Sequence, residues 1–109
     1  RGATVVEPMP MTECTMGNAT VYEFTNSSDS NASREWIIQL PSGMGSGAMD
    51  QWATQFSQAS GGNMTWMGHP SEGGMANAVF EGSRAALARA LQEVGGAMWV
   101  EEAFEMEAL

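Results

Sequence analysis

Two glycine pairs set the frame for this chain. Gly61-Gly62 and Gly95-Gly96 each follow a run whose apolar residues recur at helical spacing, and each leads straight into a Trp-bearing segment, GGNMTW and GGAMWV. A glycine pair after an amphipathic run supplies the left-handed residue with which many helices end. Upstream of the first pair, residues 48–60 place Met49, Trp52, Ala53, Phe56 and Ala59 on one helical face. Upstream of the second, residues 84–94 place Ala86, Leu87, Ala90, Leu91 and Val94 along one stripe, with Ser83 in position to cap the helix N-terminus. Two repeats of helix, Gly-Gly and strand dictate most of the architecture.

The remaining segments read as strands. Residues 35–40 (EWIIQL) carry β-branched and aromatic side chains and stop at Pro41. Residues 63–67, 75–80 and 97–105 follow the same logic more weakly. The order strand-helix-strand-strand-helix-strand predicts an α+β sandwich of the ferredoxin-like, split βαβ type. Both helices are expected on one face of a mainly antiparallel sheet, with Trp36 or Ile37, Phe56, Leu87, Leu91 and either Trp99 or Val100 in the core. The other sheet face is then open, a natural docking surface. Residues 20–25 add a strand, with Val21, Glu23 and Thr25 on one side and Tyr22 and Phe24 on the other. The loop NSSDSNAS follows it. Residues 1–19 contain Pro8 and Pro10 and show no clear period, so they read as an N-terminal arm, dispensable for a single domain over 20–109.

Charge narrows the partners. Four basic residues, all Arg, stand against 13 acidic ones, for a net charge of −9 in 109 residues. Such a chain repels phosphate backbones, which argues against nucleic acid, and it is disfavoured at anionic membrane surfaces. No apolar run is long enough to span a bilayer. A basic or donor-rich protein surface suits it. The chain starts at Arg1 without an initiator Met, which fits removal of an upstream leader, either secretory or for organelle import. Sequons at Asn18, Asn26, Asn31 and Asn63 permit glycosylation on a secretory route. Cys14 is the sole cysteine, which rules out an internal disulfide.

Catalytic chemistry finds little support. Gly43, Gly45 and Gly47 lie between a strand and a helix, but no Lys follows and neither nucleotide-binding spacing is met. His69 is the sole histidine, and a Cys14–His69 pair is a thin basis for thiol catalysis. No serine sits in a nucleophile elbow. No cofactor and no enzyme activity is expected. The segment PMPMTECTM brings Met9, Met11, Cys14 and Met16 together, thioether and thiol ligands that suit Cu(I); the competing reading is an adaptable apolar arm.

From Ser83 the chain runs SRAALARALQEVGGAMWVEEAFEMEAL. This stretch resembles the end of the subtilisin propeptide family, the inhibitor I9 family: a Ser-capped helix with a Leu pair, a short turn, and an aromatic-Val-Glu-Glu strand. Leu87 and Leu91 match the Leu pair, Gly95-Gly96 the turn, and Trp99, Val100, Glu101 and Glu102 the strand motif. REWIIQLP resembles the family's opening strand, so the propeptide-like core spans residues 34–109. Two departures stand out: GMANAVF where Gly-Phe-Ala is usual, and Ala103 where an Asp is expected. The resemblance implies a propeptide or stand-alone inhibitor of a subtilisin-type serine protease. Its sheet would dock on the protease, with Trp99, Val100, Glu101 and Glu102 at the contact. Its tail would lie in the substrate groove through Met106, Ala108 and Leu109. The alternative from another class is a non-catalytic small subunit or adaptor of a larger assembly.

Overall fold

The computed structural model describes residues 11–24, 32–68 and 76–103. They form an α+β domain in which a six-stranded mixed sheet carries two helices. The elements are β1 (Met11–Met16), β2 (Ala19–Phe24), β3 (Ser33–Gln39), α1 (Ser46–Ser60), β4 (Asn63–Met67), β5 (Asn77–Ser83), α2 (Arg84–Glu93) and β6 (Trp99–Glu102). Across the sheet the order is β1-β2-β6-β3-β5-β4. Neighbours run antiparallel except β2 and β6, which are parallel.

Both helices end as their glycines dictate. Gly61 adopts φ 77° and its N–H returns to the Ser57 carbonyl; Gly95 and Gly96 sit at φ 70° and 87°. Ser83 caps α2 by accepting the Ala86 N–H at 3.0 Å. The turn after α2 is also tied to the middle of α1, because the Trp52 indole N–H donates to the Gly95 carbonyl at 2.9 Å.

One sheet face is filled by the helices. Met49, Trp52 and Phe56 of α1 and Leu87, Ala90 and Leu91 of α2 pack onto Val21, Trp36, Ile38, Ala78, Phe80 and Val100. Strand alternation sends Ile37 and Trp99 to the opposite face. The aromatic chain Trp52–Phe56–Phe80, with ring centroids 4.8 and 5.0 Å apart, runs from helix to sheet.

The segment before residue 20 departs from the sequence reading. It contains a full strand, β1, paired with β2 through six consecutive positions from Met11↔Phe24 to Met16↔Ala19. Gly17-Asn18 forms a two-residue hairpin loop with positive φ at the glycine alone, the type II′ pattern whose twist suits the flanking strands. A Cβ on Gly17 would meet the Leu91 carbonyl oxygen at 2.6 Å, so the turn presses on α2. Met16 and Ala19 are buried in the common core. The hairpin is thus part of the folded sheet over residues 11–19, in place of a dispensable arm. Residues 1–10 lie outside the described residues.

Removing residues 1–19 should therefore lower unfolding free energy by about 2–4 kcal/mol, the scale of deleting a buried methionine and its neighbours. Urea denaturation followed by Trp fluorescence reads this directly; unchanged stability would mean that β1 contributes nothing to the core.

Candidate docking face

The sheet face turned away from the helices is where the resemblance places binding, and its geometry follows from register. One row crosses five strands: Tyr22 opposite Glu101, Glu101 opposite Ile37, Ile37 opposite Val79, and Val79 opposite Trp66. A second row sets Thr20, Trp99, Gln39 and Asn77 side by side. Three of these residues leave large apolar surface in solvent: Trp66 is 54% exposed, Trp99 40% and Ile37 36%. Glu35, Glu81 and Glu101 stand exposed among them. The described arginines are elsewhere: Arg34 and Arg84 contact Glu23 on the helix side, and Arg89 lies on α2. The described face is apolar and acidic.

Trp66 reaches this face through an irregularity. In a regular strand Met64 and Trp66 would share a side. Met64 pairs with Phe80 on the core side, but the register shifts at Thr65, so Trp66 pairs with Val79 on the open side and Met67 returns to the core with Ala78. A β-bulge of this kind reverses the alternation beyond it, turning Trp66 outward and Met67 inward. Trp66 also borders an open groove of about 440 Å³ between α1 and β4, lined with Asp50, Ala53, Thr54, Met64 and Met67.

The four-residue strand motif is split by the same alternation. Trp99 and Glu101 face outward. Val100 is fully buried between Val21 and Ile38, so it belongs to the core and cannot touch a partner on the open face. Glu102 turns to the helix side, where its Oε1 accepts the Phe24 N–H at 3.0 Å and lies 4.0 Å from Arg34 Nη1. Met106, Ala108 and Leu109 lie outside the described residues, as do Met9 and His69.

Glu102 belongs to an ionic cluster at one end of the helix side, which the sequence pattern did not reveal. Glu23 is buried at its centre. Arg84 Nε donates to both Glu23 carboxylate oxygens, at 2.8 and 2.9 Å, and Arg34 Nη1 stands 3.7 Å from Oε1. The Arg34 guanidinium also lies 5.7 Å from the centre of the Trp36 ring. Cys14 completes the group: its thiol donates to Glu23 Oε2 at 3.6 Å and accepts from Arg84 Nη2 at 3.8 Å. Burial first, and then the negative charge of Glu23, push the Cys14 thiol above the ordinary thiol range.

These placements bear on the copper reading. Met16 is packed in the core, and Cys14, two residues away on the same side of β1, packs against that core with its thiol engaged by Glu23 and Arg84. Met11 occupies the register position opposite Phe24. Of the sequons, Asn18 is exposed at the hairpin tip and Asn63 at the start of β4. Adding a Cβ at Gly43, Gly45 or Gly47 would meet nothing within 4 Å, which fits a simple connection.

Comparison with family models, with curated proteins and with solved structures finds no match in any of the three.

The split of the motif is measurable. Glu102→Ala should lower stability by about 1–3 kcal/mol, because a partly buried N–H and a neighbouring guanidinium lose their acceptor, whereas Glu101→Ala should stay within about 0.5 kcal/mol. Equal effects in urea titrations would contradict the assigned faces. Cys14 gives a pH signature. A raised pKa keeps the thiol protonated through neutral pH, so alkylation of the native chain should be slow at pH 7 and accelerate only above the range of a free cysteine. Glu23→Gln removes a charge that raises the pKa, so the alkylation profile should move to lower pH; a shift the other way would contradict the cause given.

Proposed function

We propose that this chain is a non-catalytic docking domain of the subtilisin propeptide or inhibitor kind, which applies its open sheet face to a subtilisin-type serine protease. The observation that carries the reading is the apolar surface presented by Trp66, Trp99 and Ile37, together with the exposed carboxylates around them. Exposed aromatic residues grouped on one face, rimmed by polar groups, mark protein interaction sites. The arrangement β6-β3-β5-β4, with α1 and α2 on a common side, supports a ferredoxin-like, split βαβ description of that part of the chain, to which the β1–β2 hairpin adds two further strands.

The chemistry of such docking is simple. Ile37, Val79 and Trp66 supply dry contact, while Glu101, between Tyr22 and Ile37, offers its carboxylate to backbone N–H groups at the N-termini of the partner's surface helices, where the dipole favours an anion. Within the WVEE motif this assigns docking to Trp99 and Glu101, and leaves Val100 and Glu102 to hold the strand in place. The tail beyond Ala103, with Met106, Ala108 and Leu109, is the segment proposed to enter the substrate groove as an extended chain.

Inhibition assays against several subtilisin-type proteases test the proposal. The intact chain should inhibit at least one at micromolar concentration, and Trp66→Ala should weaken that inhibition by about 1–3 kcal/mol without altering the fold. Glu101→Gln should weaken it as well, and removing residues 106–109 should abolish it. A folded chain that inhibits none of them would move the reading to a subunit or adaptor of a larger assembly.

A further inference from the structure

We propose that the outer edge of β1 is a strand-addition site for an extended, basic segment of a partner polypeptide. The proposal concerns the edge of the sheet and does not rest on the protease reading of its face. Register determines which backbone groups point outward. A two-residue loop closes on Met16 and Ala19 as a hydrogen-bonded pair, so Met16, Cys14 and Thr12 exchange their N–H and C=O groups with β2. The N–H and C=O groups of Thr15, Glu13 and Met11 then point away from the sheet. No backbone partner for them occurs among the described residues.

The two edges of the sheet are built differently. β4 has five residues and a bulge at Thr65, which breaks the regular spacing of its outward groups. Bulges, prolines and lysines are the usual guards of an exposed edge. β1 has none of these: its six residues MTECTM pair without interruption. Among the described residues this edge is regular and its one charge is Glu13, and a regular edge is the template that peptide addition uses.

Charge selects the occupant. On an added strand, a residue opposite Glu13 or Thr15 would place its side chain on the open face, because Glu13 pairs with Tyr22 and Thr15 with Thr20 there. Glu13 is exposed, and Lys or Arg at the facing position would complement it, while Glu101, three strand spacings or roughly 14 Å from that position, adds only to the acidic character of the face. The alternate residues would face the Cys14 and Met16 side, where apolar side chains fit. A second copy of this chain is the wrong partner, since it brings another Glu13 and a further net charge of −9.

The test uses the intact chain and a short synthetic peptide alternating Lys and Val, with a peptide alternating Glu and Val as control. Amide hydrogen exchange read residue by residue should show the Glu13 and Thr15 amides fast in the free chain and slowed about tenfold or more by the Lys-Val peptide alone. Thr15→Pro deletes one outward N–H and spares the bonds to β2, so it should keep the fold and weaken binding about tenfold. If that variant fails to fold, Glu13→Lys takes its place and should reverse the preference towards the Glu-Val peptide. Amides already protected in the free chain, protection appearing on β4, equal binding of both peptides, or self-association through this edge would each overturn the proposal.

Discussion

The ring of Phe80 occupies space that two glycines leave open. A Cβ on Gly62 would stand 2.6 Å from the ring, and one on Gly82 2.7 Å. No side chain fits at either position unless the ring moves. Gly62 begins the return from α1 into β4, and Gly82 lies two residues after Phe80 on the same side of β5, so one ring sets how closely helix, return and strand approach. Phe56 meets it edge-on, with the rings at 83°, and Trp36 is its register partner on β3. Everything on the helix side is arranged around that contact. With α1 seated there, the Trp52 indole reaches the turn after α2 and fixes the second helix relative to the first.

Packing both helices on one side fixes the chemistry of the other. Every second residue of each strand is turned away from the helices, and the exposed ones include Trp66, Trp99 and Ile37 beside the carboxylates of Glu35, Glu81 and Glu101. Arg34 and Arg84, which could neutralise carboxylates, are drawn to the helix side by Glu23. A buried carboxylate between two guanidinium groups is weak evidence for stability in itself, but it specifies which way β2 faces. With Glu23 inward, Tyr22 and Phe24 turn towards the open side, the reverse of what side-chain hydrophobicity alone would choose.

That choice marks the limit of what local pattern conveys. The helices, their glycine stops and the Ser83 cap were legible because each depends on residues within a turn or two of itself. The core positions Phe56, Leu87 and Leu91 follow from periodicity, whereas the pattern leaves Trp36 or Ile37, and Trp99 or Val100, open until the sheet register places Trp36 and Val100 inside. The strand before residue 20 is signalled only by Gly17-Asn18, a two-residue turn between MTECTM and ATVYEF, while Pro8 and Pro10 just upstream favour an irregular arm. The face of β2 depends on Arg84, sixty-one residues away from Glu23 along the chain, and no window of sequence contains both. Trp66 shows the same limit over a shorter range, since a single extra residue reverses the side that alternation would assign.

The position of β6 has a consequence for how the chain is made. This four-residue strand lies between β2 and β3 and is the last strand of the described chain. It pairs Val100 with Val21 on one side and Ile38 on the other. Until it emerges from the ribosome, the β1–β2 hairpin has no neighbour in the sheet, and an isolated two-stranded ribbon is marginal in water. The chain is therefore synthesised as two unjoined pieces of sheet, an early hairpin and a later trio of strands, and its sheet closes only once β6 has left the ribosome. Throughout that interval the inner surfaces of β2 and β3 remain open to chaperones, and the speed of the final closure decides how long they stay so.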